Sequence, residues 1–188
     1  MAARRPKAVD PAWLERAALY YLERYASSAD NLRRVLQRKA KRRVFGGEET
    51  VPEDLDAWIA ALLEKLARLK LLDDQAYAET RLRRQLAEGK SLGSIKRGMA
   101  AKGVGETALK NAFARMEAER EAPISDWPAA LAYARKRRLG PYRADPEQRK
   151  AMRQKDMAAL ARRGFSQDVA RRILAAENAD ALESSDDE

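Results

Sequence analysis

Two adjacent carboxylates, Asp73 and Asp74, come closest in this sequence to a catalytic or metal-binding pair. Paired carboxylates can act as general acid and base, or can bind a hard cation through their oxygens. These two stand directly before a stretch with helical spacing, where acidic side chains cap the first turn and interact favourably with the helix dipole. Helix capping is therefore the better-supported interpretation.

The sequence lacks the residue types on which most chemistry near neutral pH depends. Histidine and cysteine are both absent, which removes imidazole bases, thiolate nucleophiles and zinc sites of the cysteine type. The pair Gly46-Gly47 is followed by Glu48 and Glu49 instead of Gly-Lys-Ser/Thr, so no phosphate-binding loop of that kind is present. We therefore expect a protein that is not an enzyme and uses no cofactor or metal ion.

Basic residues are concentrated near the ends of two predicted helices. Residues 176 to 188 contain six acids and no base, so the preceding residues carry 38 bases and 23 acids, a net charge of +15. Such a charge attracts polyanions, although a solvated basic surface that only aids solubility is the alternative. The residues predicted to contact a polyanion are Arg33, Arg34, Arg38, Lys39, Arg42, Arg135, Lys136 and Arg137.

Helical spacing of apolar residues and helix caps predict nine helices in three groups of three. The middle helices of the groups end in matching pairs, each with an apolar residue four positions before a small one. The pairs are Leu36 and Ala40, Met99 and Gly103, and Leu160 and Gly164. The small residues are 63 and 61 positions apart, which indicates an internal repeat.

The repeat predicts an all-α fold of tandem three-helix units, arranged as an elongated and curved body. We expect a disordered N-terminus over residues 1–9 and helical repeats over 10–70, 71–122 and 123–176. The acidic residues 177–188 are expected to form a disordered tail.

Glycine-containing turns leave a second function class open. Lys102-Gly103-Val104 and Arg163-Gly164-Phe165 each join two helices, as the turn of a helix-turn-helix DNA reader does. A stand-alone DNA-binding protein is therefore the alternative hypothesis. Aromatic residues are not interleaved with the basic ones, so stacking on single-stranded bases has little support in the sequence.

Several segments, taken in order, resemble the RecX family of recombination regulators. They are Leu71-Leu72-Asp73-Asp74-Gln75-Ala76-Tyr77-Ala78, Arg81, the segment 89–95, Lys102-Gly103-Val104, and Leu160 with Arg162-Arg163-Gly164-Phe165-Ser166. The most specific parts are the Asp-Asp-x-x-Tyr-Ala piece and the Arg-Arg-Gly-Phe-Ser piece about ninety residues later.

The resemblance implies a chain of three-helix repeats that binds the RecA–DNA filament and inhibits the ATPase, strand-exchange and coprotease activities of RecA. It covers residues from about 13 to 175. The first repeat departs from the pattern, with Ala40 in place of glycine and an insertion-like stretch from Val44 to Glu49.

The expected setting is the cytoplasm. The sequence has no cysteine and no run of apolar residues long enough to cross a membrane. We expect a monomer whose partner is the RecA filament, with DNA contact through the basic surface as a further interpretation.

Overall fold

The computed structural model describes residues 8–45 and 50–183, and within these ranges the chain is helical with no strand. The helices are α1 (Pro11–Leu22), α2 (Ala29–Val44), α3 (Leu55–Arg68), α4 (Asp74–Ala87), α5 (Leu92–Ala101), α6 (Glu106–Arg120), α7 (Trp127–Arg137), α8 (Pro146–Arg163), α9 (Gln167–Ala175) and α10 (Asp180–Glu183), with a 3-10 turn at Gly140–Tyr142. The predicted all-α class is confirmed.

The described chain forms two compact units. One comprises the chain up to Ala78 together with Met99–Asn111, and the other comprises Glu79–Gly98 and the chain from Ala112 onward. Helices α4, α5 and α6 thus contribute residues to both units.

The core of the first unit is formed mainly by α1, α2 and α3. Asp10 caps α1 by accepting a hydrogen bond from the Trp13 amide at 2.7 Å, and Pro11 occupies the first helical position. The apolar residues of α3 recur at helical spacing and therefore lie on one face of the helix. This face is buried against α1 and α2. Its buried members are Leu55, Ile59, Leu62, Leu63 and Leu66.

The core of the second unit is formed by α7, α8, α9 and the 3-10 turn. The buried carboxylate of Asp156 on α8 fixes this turn, because it accepts the Gly140 amide at 2.9 Å. Arg143 donates to the same carboxylate through two nitrogens, at 2.6 and 3.1 Å. The Asp156 hydrogen bond raises the pKa of Arg143 above its ordinary value, so the guanidinium stays charged and compensates the buried carboxylate.

In the first unit, the N-terminus of α2 is joined to the end of α5. Ser28 is fully buried, and its hydroxyl donates a hydrogen bond to the carbonyl of Lys102. The same hydroxyl oxygen caps α2 by accepting the Asn31 amide at 3.2 Å. The adjacent Ala29 amide donates to the Asp74 carboxylate at 2.7 Å.

In the second unit, the N-terminus of α5 is joined to the end of α8 in the same way. The buried Ser91 hydroxyl donates to the Arg163 carbonyl at 2.8 Å, and the Leu92 amide donates to Asp126 at 2.6 Å. Burial raises the pKa of Asp126, although the Leu92 hydrogen bond and the nearby Lys96 lower it. We call these two sets of contacts the serine junctions.

The serine junctions explain why glycine follows α5 and α8. Gly103 and Gly164 have φ of +71° and +96°, in the left-handed region that favours glycine. A Cβ atom on Gly164 would lie 2.6 Å from the Ser91 hydroxyl, and one on Gly103 would lie 2.7 Å from the Cβ of Asp30. Glycine is therefore needed for close packing as well as for the turn.

Helix α8 begins differently from α2 and α5. Its N-cap is Asp145, whose carboxylate accepts the Glu147 amide at 2.9 Å within the same helix. Pro146 occupies the first helical position and has no N–H to donate.

At both ends of the described chain, an apolar side chain packs on a core. Residues 1–7 and 184–188 of the predicted disordered ends lie outside the described residues. Val9 is buried against the first core, and Leu182 on α10 is only 3% exposed and packs on the second. Both side chains are apolar and lie beside a core, which offsets the entropy lost on ordering. Helix α6 continues to Arg120, close to residue 122 where the second predicted repeat ends.

We expect Ser91→Ala to lower the free energy of unfolding by about 2 kcal/mol, because it leaves the Arg163 carbonyl and the Ser94 amide without the hydroxyl. Ser166→Ala is the matched control, since Ser166 is exposed and caps only its own helix. The control should lose about 1 kcal/mol or less. Urea unfolding measures both, and equal losses would contradict a role for Ser91 beyond capping.

Gly164→Ala should destabilise the fold more than Gly89→Ala does. Both glycines have positive φ, so both variants should lose about 1 kcal/mol from backbone strain. Only the Gly164 variant also pushes a Cβ into the Ser91 hydroxyl, whereas nothing lies within 4 Å of a Cβ on Gly89. We expect a further loss of about 2 kcal/mol or more for Gly164→Ala in thermal or urea denaturation. If Gly164→Ala lowers the free energy of unfolding no more than Gly89→Ala does, the second serine junction accommodates the added methyl group without a measurable cost.

Candidate functional site

The basic residues of α2 divide between two sides of the helix. Leu32, Val35, Leu36 and Ala40 are buried in the first core, so the opposite side of α2 faces solvent. The exposed bases on this helix are Arg33, Arg34, Arg38, Lys41 and Arg42. We call these five residues the α2 basic face.

Two members of the α2 basic face interact with a carboxylate on the same helix. Arg33 and Arg34 lie 3.5 and 3.1 Å from the carboxylate oxygens of Asp30, in pairs that are nearly half exposed. Arg34 also donates to the Ala101 carbonyl at the end of α5, at 3.1 Å. Arg34 therefore supports the first serine junction, a role that the sequence did not indicate.

The other three members carry charge that no described residue neutralises. Arg38, Lys41 and Arg42 are exposed, and within residues 8–45 and 50–183 no hydrogen bond or ion pair engages their side chains. Their charge is available to a polyanion without breaking an existing pair.

Lys39 and Arg43 lie on a different side of α2, toward α1. The Lys39 ammonium is 5.7 Å from the centre of the Tyr20 ring, and the Arg43 guanidinium is 4.7 Å from a Trp13 ring. Arg43 also donates to the Ala8 carbonyl at 3.1 Å. The structure therefore separates Lys39 from the predicted residues of the α2 basic face and gives it a cation–π contact.

The second predicted cluster lies at the C-terminal end of α7, in the second unit. Arg135, Lys136 and Arg137 are exposed, and Arg138 follows them in the left-handed conformation that ends the helix. Cations in a last helical turn also interact favourably with the helix dipole, so some of this charge has a structural role. We call Arg135 to Arg138 the α7 basic end.

The structure adds an arginine to the surroundings of α7 that the predicted contact set omitted. The Arg163 guanidinium lies 5.7 Å from the Tyr133 ring, one turn before Arg137 on α7. The sequence motif around Gly164 drew attention to the turn, and only the packing of α8 against this region reveals the position of Arg163. Lys41 was also absent from the predicted contact set, although it stands within the basic run.

The described residues contain no group of three or more acidic side chains arranged to hold a metal ion. Asp73 caps α4 through the Ala76 amide at 2.9 Å, as the sequence predicted. Asp74 has a role that was not predicted, because it accepts the Ala29 amide across the first serine junction. None of the helices in the described part of the chain is long and apolar enough to span a membrane.

Two solved structures share the fold of this chain. A crystal structure of a regulatory protein RecX superposes with a TM-score of 0.61 at 26% identity, covering 87% of this chain and 70% of that one. The crystal structure of RecX from Lactobacillus salivarius gives a TM-score of 0.63 and covers 93% of this chain and 97% of that one. Its identity is 21%, so it supports the fold alone.

Sequence relatives carry the same name. The regulatory protein RecX of Myxococcus xanthus is 40% identical over 173 residues, which are 91% of this chain and 89% of that protein. The regulatory protein RecX of Agrobacterium fabrum is 33% identical over 176 residues, covering 90% of this chain and 88% of that protein. No family model matches the sequence. Because both relatives exceed 30% identity over nearly their whole length, the chain belongs to the RecX family of regulatory proteins.

Proposed function

We propose that this chain regulates the RecA recombinase by binding the RecA–DNA filament and lowering the ATPase, strand-exchange and coprotease activities of RecA. The observation that carries the proposal is the 40% identity to a regulatory protein RecX over 91% of the chain. The resemblance of the sequence to the RecX family implies RecA as the partner. The arrangement in three repeats, over residues 10–70, 71–122 and 123–176, belongs to the same proposal.

The mode of action in this proposal is binding and not catalysis. The chain contains no histidine or cysteine, and the conspicuous carboxylates Asp73 and Asp74 are engaged by backbone amides. We place the protein in the cytoplasm as a monomer, and the filament is its partner.

The proposed contact residues are Arg33, Arg34, Arg38, Lys39, Arg42, Arg135, Lys136 and Arg137. Within this set, Arg38 and Arg42 offer the most available charge, because no described residue pairs with them. Arg33 and Arg34 share Asp30, and Lys39 interacts with Tyr20, so we expect these three to contribute less.

The first test measures RecA ATP hydrolysis on single-stranded DNA. We expect substoichiometric amounts of this protein to slow hydrolysis and to shorten the filaments seen by electron microscopy, because one bound regulator affects many protomers of a filament. The same amounts of a basic protein of similar size and unrelated fold serve as the control for charge. An unchanged rate together with unchanged filament length would contradict the proposal.

The second test asks whether the α2 basic face makes the contact. The double variant Arg38→Ala/Arg42→Ala should raise the concentration needed for half-maximal inhibition by about five- to tenfold, since it removes two cations available to a polyanion.

Lys110→Ala/Lys155→Ala is the matched control for the second test, because it removes two exposed charges from α6 and α8 and leaves the same net charge. The control should inhibit like the wild type, and equal losses in the two variants would show that only total charge matters. Lys136→Ala/Arg137→Ala tests the α7 basic end in the same assay.

A further inference from the structure

Phe45 is the most exposed large apolar side chain in the described part of the protein. It follows the last residue of α2, and its side chain is 90% exposed. Its amide donates to the Lys41 carbonyl at 3.1 Å, and the extended backbone conformation of Phe45 then ends the helix. A single exposed apolar residue is common in proteins, and only its surroundings give it meaning.

The surroundings of Phe45 are cationic. Arg38, Lys41 and Arg42 precede it by seven, four and three residues, which are the spacings that place side chains on one side of a helix. These are the members of the α2 basic face that no described residue neutralises. The helical spacing thus puts an aromatic residue on the same side of α2 as three available cations, contrary to the sequence-based expectation that aromatic and basic residues are not interleaved.

The ring of Phe45 differs from the other aromatic rings that lie near cations. Tyr20 has the Arg24 guanidinium 3.7 Å from its centre, and Trp127 has that of Arg172 at 4.1 Å. These rings already interact with a cation of the protein itself. No described residue stacks on Phe45, so both faces of its ring are open to a ligand.

The C-terminal end of α2, which carries Phe45, differs from the ends of α5 and α8 at the matching positions of the repeat. At the matching positions, α5 and α8 give way to Gly103 and Gly164, which pack against the serine-capped start of another helix. Helix α2 instead continues past Ala40 for one more turn, and among the described residues none covers Lys41, Arg42 or Phe45. The extra turn therefore presents Lys41, Arg42 and Phe45 to solvent.

We propose that the end of α2 binds single-stranded nucleic acid, with a base stacked on Phe45 and the flanking phosphates bound by Arg38, Lys41 and Arg42. Exposed aromatic rings among cations bind single strands because every base has a π-face and every nucleotide has a phosphate. The bases of a duplex are already stacked on each other and cannot take the ring without unstacking. The site goes beyond the proposed regulation of RecA, because it requires no second protein.

The experiment measures binding of the full-length protein to a fluorescently labelled 20-nucleotide thymidine strand by anisotropy, without RecA. The variants are Phe45→Leu, which keeps an apolar side chain without a ring, and Phe45→Trp, which keeps a ring. A strand of the same length with abasic sugars supplies the phosphates without the bases.

We expect Phe45→Leu to weaken binding to the thymidine strand by about fivefold or more, and Phe45→Trp to bind at least as tightly as the wild type. Binding to the abasic strand should be equal for all three proteins. Arg38→Ala and Arg42→Ala should each weaken binding to both strands and lower the salt dependence by about one unit of slope. Because Phe45 is exposed, none of the changes at this position should alter the fold.

Tyr25→Leu is the matched control, since Tyr25 is an exposed aromatic residue that packs on Tyr21 of α1. It should bind like the wild type. The proposal is overturned if Phe45→Leu binds the thymidine strand as tightly as the wild type, or if it weakens binding to the abasic strand by the same factor. Equal loss on a 20-base-pair duplex would also overturn it, because the ring would then not be reading an unstacked base. These outcomes are independent of the ATPase test, which requires RecA.

Discussion

The fold depends on a hydrogen bond between the hydroxyl of a buried serine at the start of one helix and the last carbonyls of another. Ser28 and Ser91 each use one oxygen twice, as acceptor for their own helix and as donor to a carbonyl near Gly103 or Gly164. Buried helix ends leave amides and carbonyls that must find partners, and here the ends of two helices satisfy each other. The two serines are 63 residues apart and the two carbonyls, of Lys102 and Arg163, 61 apart, which matches the period of the sequence repeat.

Acidic residues complete this arrangement. Asp74 and Asp126 stand at the starts of α4 and α7, where an acidic residue ordinarily caps its own helix, as we predicted for Asp74. Their carboxylates instead accept the first amides of α2 and α5. The interaction of a carboxylate with a helix N-terminus was therefore foreseen, but for the wrong helix, because a local rule cannot tell which N-terminus lies nearest in space.

Much of the helical pattern was readable from the sequence. Asp10 and Ser166 cap helices, the apolar stripe of α3 is buried, and glycine takes the left-handed conformation at 103 and 164, as residue types and spacing indicate. The division of the basic residues was not readable, because it depends on which side of α2 meets α1. Packing turns Lys39 toward Tyr20 and Arg34 toward Ala101, and leaves Arg38 and Arg42 without a described partner. The exposure of Phe45 was also beyond a sequence-based argument, since an apolar residue at a helix end is expected to contact a core.

Helix α8 ends the series of linked helices. Asp145 occupies the amides of its own first turn, and Pro146 supplies no N–H where α2 and α5 supply one to a neighbouring carboxylate. The start of α8 thus lacks both the serine hydroxyl and the first amide that α2 and α5 use to bind another part of the chain. Within the described part of the chain, the pattern of serine junctions therefore stops at α8.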